Sequence, residues 1–110
     1  VGYDGDDDDW YARYTFENRQ FHCLIAAASG NRELATMVSR VYDRLARFMV
    51  MHRTGESMQH SHRRIIGALQ ARDPEAARQA VLDELTDTRR VVLDRVIQEQ
   101  GEAWHLGRYV

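Results

Sequence analysis

SGNRELATMVSRVYDRLARFMVMH, residues 29–52, is the stretch that decides the fold. Leu34, Val38, Val41, Leu45 and Phe48 recur at intervals of three and four, the spacing that places side chains on one face of an α-helix, and Met37 and Met49 widen that stripe. Ser29-Gly30-Asn31 supplies the punctuation. Glycine tolerates the left-handed backbone that ends one helix, and Asn31 can cap the start of the next. The spacing predicts a helix from about Arg32 to His52, entered through a tight turn.

Outward from this stretch the same grammar repeats. Upstream, a segment beginning after the acids Asp6–Asp9 suits the positive end of a helix dipole, and Phe21, Leu24, Ile25 and Ala28 read as its buried stripe. The acidic run lacks the spaced ligands and distal glutamate of a calcium loop. Downstream, Thr54-Gly55 breaks the pattern, and a third helix is predicted from about Glu56 to Ala71, burying Met58, Ile65, Ile66 and Leu69. Asp73-Pro74 is a side-chain cap followed by proline at the first helical position. The last helix carries Ala77, Ala80, Val81, Leu85, Val92 and Val96 to about Gln100. Gly101 is expected to end or kink it, leaving Trp104-His105-Leu106 as a hydrophobic tail. About four long helices with short connections predict an all-α, antiparallel helical bundle, one domain over residues 1–110.

Composition narrows the function classes. All 15 basic residues are arginine, they are interleaved with 17 acids, and the net charge is −2, so no basic stripe for gripping phosphates is evident. One cysteine, Cys23, excludes an intrachain disulfide framework and fits a reducing, cytoplasmic setting. No apolar run reaches membrane-span length. The first residue is Val1 rather than methionine, as expected of a piece of a longer product. Neither a glycine-rich phosphate loop nor a nucleophile elbow is present, and Cys23 belongs to no Cys–His nucleophile pattern, so no catalytic residue is expected.

The informative residues are polar groups on faces that should be apolar. Asn18 and His22 are four apart on the first helix and share a face. His62 lies four after Met58 and three before Ile65, while Glu84 falls three after Val81 and seven after Ala77. Singly, each could be satisfied in a core by one hydrogen bond or an arginine. Jointly, burying two imidazoles and a carboxylate is costly unless something satisfies them, and a divalent cation would. His60, two residues from His62, points elsewhere and is expected to be exposed. Arg44 follows Met37 and Val41 and precedes Phe48 at helical spacing, bordering the predicted buried face, where a guanidinium could clamp a carboxylate or pair with an acid.

Three local patterns then become familiar. Asn18-Arg19-Gln20-Phe21-His22 leads into Ala28-Ser29-Gly30-Asn31. His62-Arg63-Arg64-Ile65-Ile66-Gly67-Ala68-Leu69 leads into Asp73-Pro74-Glu75-Ala76-Ala77, and Val81-Leu82-Asp83-Glu84-Leu85 follows. In order and spacing, from about Trp10 to Leu106, the chain resembles the FCD domain, the C-terminal effector-binding module of GntR-type transcription regulators. Arg72 stands where that family commonly has glycine.

The resemblance implies a divalent metal (zinc, manganese or nickel) bound by an aspartate and three histidines, with a small carboxylate effector completing the coordination. His22 and His62 match, Asn18 takes the place of the aspartate and Glu84 that of the last histidine. Two His, one carboxylate and one amide oxygen remain a workable donor set. The resemblance also implies a homodimer and DNA contact only through an N-terminal winged-helix domain outside these residues. The family domain has two further helices before the point matching Val1, so either they precede this sequence or the domain is shortened. A metal-free dimerisation bundle or apolar-effector binder is the alternative. A two-His, one-carboxylate metalloenzyme ranks third.

Overall fold

The computed structural model describes the backbone of residues 8–52 and 59–107, all of it helical apart from two short turns. Four helices form: α1 (Asp8–Ala28), α2 (Arg32–His52), α3 (Gln59–Gln70) and α4 (Pro74–Gly107). Among the described residues there is no strand, and the chain is all-α as its periodicity predicts. It divides into two compact units, Val1–Glu56 and Ser57–Val110, each a helical hairpin.

In the first unit α1 and α2 run antiparallel. Arg19 of α1 reaches Ser39 and Asp43 of α2, while an apolar groove joins Ala12 and Phe16 to Val50 and Met51. The turn between them works through side chains. Gly30 sits at φ +78°, left-handed backbone that glycine adopts without strain, and its N–H bonds the Ala27 carbonyl at 3.2 Å. The Ser29 hydroxyl donates to the Ala26 carbonyl at 2.6 Å and accepts the Asn31 N–H at 3.1 Å, bridging the two backbone groups. Asn31 Oδ1 then accepts the Leu34 N–H at 3.0 Å, capping α2.

In the second unit α3 and α4 also run antiparallel, His62 opposing Glu84 and Arg64 opposing Asp83. Here the turn is closed by backbone alone. The Asp73 N–H bonds the Ala68 carbonyl at 3.0 Å and the Arg72 N–H bonds that of Leu69 at 3.1 Å, the paired bonds of a Schellman ending. That ending forces a left-handed residue, and Arg72 occupies it at φ +54°. Asp73 Oδ1 caps α4 by accepting the Ala76 N–H at 3.0 Å.

The faces differ from expectation more than the boundaries do. Among the described side chains of α1 the buried ones are Tyr14, Thr15, Asn18, His22 and Ala26, whereas Leu24 is 70% exposed and Ala28 is also exposed. On α2 Met49 is buried and Val38, Leu45 and Phe48 are half-buried, but Leu34, Met37 and Val41 are exposed. On α3 Ile65 and Ala68 are buried, with Ile66 and Leu69 exposed. On α4 Ala80 and Glu84 are buried and Leu85 is exposed. The reason is geometric. Each helix has one helical neighbour within its unit, and a packed stripe covers only part of its circumference, so an apolar arc wider than that stripe stays open.

α4 runs through Gly101 to Gly107, so Trp104-His105-Leu106 is helical rather than a tail. One interior glycine costs roughly 1 kcal/mol against alanine, too little to stop a long helix. Glu56, Met58 and the side chain of His60 lie outside the described residues.

Candidate metal and effector site

Asn18 and His22 lie one turn apart on α1, and both are buried, at 3% and 7% exposure. Their neighbours on the same face are Thr15 and Ala26, so the stripe that α1 buries is largely polar. Asn18 Oδ1 is buried and has no hydrogen-bond partner. An orphaned amide oxygen carries a desolvation cost of about 1–3 kcal/mol and is a free lone-pair donor.

The His22 ring is held by aromatic contact. Tyr42 of α2 stacks on its face, with centroids 4.6 Å apart and planes inclined by 14°, and the neighbouring Phe21 meets it edge-on at 5.3 Å. One turn away, the Arg19 guanidinium ties the helices together, with Nε 2.6 Å from Asp43 Oδ1 and an NH2 group 2.7 Å from Ser39 Oγ. Neither Tyr42 nor Arg19 stands out in the sequence as a site residue. The signal for Tyr42 is present nonetheless, because with Val38, Leu45 and Met49 it completes an i, i+4, i+7, i+11 row.

In the second unit the pair comes from two helices. His62 Nε2 of α3 is 3.1 Å from Glu84 Oε1 of α4, and the N–H donates to the carboxylate when that nitrogen carries the proton. The Glu84 side chain is 3% exposed and that of His62 14%. Two ligands on bonds of about 2.1 Å stand about 3.0 Å apart at 90° and about 3.4 Å apart at the tetrahedral angle. The observed spacing therefore suits one cation as well as it suits the hydrogen bond.

Beside this pair runs an exposed one. Arg64 bonds Asp83 Oδ2 at 3.0 Å and Gln79 donates to Asp83 Oδ1 at 2.8 Å. The Gln79 bond first, then Arg64, holds the Asp83 carboxyl below its ordinary value.

The four sequence-predicted donors thus fall into two pairs, Asn18 with His22 and His62 with Glu84, all buried except the half-buried His62, and the residues suit a divalent metal. Each pair offers one imidazole and one oxygen, a hard-and-borderline set matched to first-row divalent ions. Arg44 stands elsewhere, exposed on α2 in line with exposed Met37 and Val41, so the face expected to be buried there is open. The first unit also carries an open apolar groove of about 410 Å³ between α1 and α2, walled by Phe16, Ala46, Val50 and Met51 with Arg47 at its edge. No described helix is long and apolar enough to cross a membrane.

The sequence profile of the FCD domain matches residues 4–87, most of the chain. Neither the curated proteins nor the solved structures give a significant match.

Proposed function

From the premise that this chain belongs to the FCD domain family, the regulatory, effector-binding domains of GntR-type regulators, we propose that it senses a small organic acid through a divalent cation. Asn18, His22, His62 and Glu84 supply the cation's protein ligands in this reading. The carrying observation is the 3.1 Å spacing of His62 Nε2 and Glu84 Oε1, a half-buried imidazole and a buried carboxylate at ligand-to-ligand distance. The orphaned Asn18 oxygen supports it from the other unit.

The effector's carboxylate would fill the positions the protein leaves open on the ion. Regulation then requires that the acid bind one arrangement of a dimer better than another, altering the geometry of DNA-binding domains carried elsewhere in the polypeptide. The role is binding without turnover.

Elemental analysis of the purified protein, with thermal melts in the presence and absence of chelator, tests the reading. Near-stoichiometric zinc, manganese or nickel is expected, with a melt lowered by chelator and by His62→Ala. Cation at 100 times its Kd is worth about 2.7 kcal/mol of stability. A metal-free protein whose melt ignores all three ions sinks it.

The apolar groove beside Arg47 favours a second reading, in which an effector with an apolar body binds without metal. It predicts that an alkyl or aryl carboxylate raises the melting temperature in excess chelator, an effect lost in Val50→Asp.

A further inference from the structure

We infer that Tyr42 is a positioning residue for the His22 imidazole, setting the direction in which that ring presents its nitrogen lone pair. The inference rests on the metal reading above and goes beyond it by naming a residue that touches no metal.

A metal bond to imidazole lies in the plane of the ring, so whatever fixes that plane fixes where the ligand points. The usual device is a hydrogen bond from the second ring nitrogen to a carboxylate or carbonyl. Tyr42 acts on the face. Its ring lies parallel to His22 within 14° at a centroid distance of 4.6 Å, and Phe21 closes the edge at 84°. Contact through the face occupies neither nitrogen. Rotation about the ring's own bond, which would swing the lone pair out of line, drives the imidazole edge into the tyrosine.

The stack is itself anchored. Asp43 follows Tyr42 on α2 and Ser39 lies three residues before it, and both hold Arg19, which precedes His22 by three residues on α1. These bonds, at 2.6 and 2.7 Å, set the register of α1 against α2 where the two rings meet. Aromatic pairs of this kind contribute beyond area burial, and a stacked neighbour costs no donor atom.

The test is cobalt(II) titration of the intact chain by calorimetry and visible absorption, with thermal melts of each metal-free variant. Tyr42→Leu keeps most of the volume but removes the ring face. It should weaken cobalt binding about 10- to 100-fold, the range for loss of a ligand-orienting neighbour, and change the d–d band shape. Tyr42→Phe retains the face and should stay within about 2-fold of the parent on the same grounds. If Tyr42→Leu proves too unstable to titrate, Tyr42→Met, which fills the space with a flexible chain, carries the same expectation.

Cobalt bound by the parent, lost in His22→Ala and unchanged in affinity and spectrum by the Leu or Met variant overturns the positioning role alone. A parent that binds no cobalt overturns the metal reading, and the positioning role with it. A Phe variant as weak as the Leu variant also overturns the role, because it would place the effect in the hydroxyl.

Discussion

The two hairpins solve one problem in opposite ways. In the second unit, His62 and Glu84 come from different helices and satisfy each other across 3.1 Å. In the first, Asn18 and His22 come from the same helix one turn apart, and an amide oxygen is left buried with no partner while the ring is gripped by Tyr42. The hydrogen bond of the second pair engages Glu84 Oε1, and the buried Oε2 stays outside it. The orphaned amide oxygen of the first pair carries a desolvation cost that an added donor or cation would remove. Each pair thus keeps a buried oxygen to offer a cation, and the second is in addition bonded across two helices.

The largest expected break in this contrast is His62→Ala. It strips a charge-assisted bond from a buried carboxylate and should destabilise the metal-free protein by about 2–3 kcal/mol in urea denaturation with chelator present. Loss below about 0.5 kcal/mol would show the bond to be unimportant, since surface changes alone reach that size. The matching change in the first unit should have the opposite sign. Asn18→Leu deletes an orphaned oxygen at nearly constant shape and should stabilise the metal-free protein by about 1 kcal/mol, while weakening metal binding. Destabilisation instead would mean that the amide is satisfied in solution.

The turns sharpen the comparison on a smaller scale. Gly30 and Arg72 hold equivalent left-handed positions, and an added Cβ at Gly30 would meet nothing within 4 Å, so backbone strain alone separates the two. Arg72→Gly should raise stability and Gly30→Ala lower it, each by about 1 kcal/mol. Equal shifts of opposite sign in chemical denaturation would confirm that the turns are interchangeable.

The smallest effect belongs to Asp83. Its carboxyl is held below the ordinary value of 3.8, first by Gln79 and then by Arg64, so its contribution is complete above that value and is lost as pH falls through the lower folded one. The stability curves of the parent and Asp83→Asn should differ at neutral pH and converge in acid. Parallel curves across that range would remove the carboxylate from the account.

Helix limits were legible because punctuation is local. Asn31 and Asp73 cap the helices the sequence assigns to them, and α2 runs over the predicted span. The inward placement of Asn18, His22 and Glu84 was legible too, because three- and four-residue spacing fixes direction once a neighbouring position is known to be buried. What could not be read is which part of a broad apolar arc gains a neighbour, and so Leu24, Met37 and Val41 were assigned to the wrong environment. Gly101 was overrated for a similar reason, since a residue's local preference says little about the length of helix on either side of it. Tyr42 was missed because its role lies in meeting another ring.

α4 is 34 residues long and its hairpin partner α3 only 12, so about 33 Å of α4 extends past the length of α3 at 1.5 Å per residue. A rod paired with its hairpin partner over only part of its length has a long arm. With Glu84 in the short arm, a tilt of about 10° there sweeps the far end through about 6 Å, larger than a helical turn's rise. A small change of angle at Glu84 is thereby magnified at the far end of the helix.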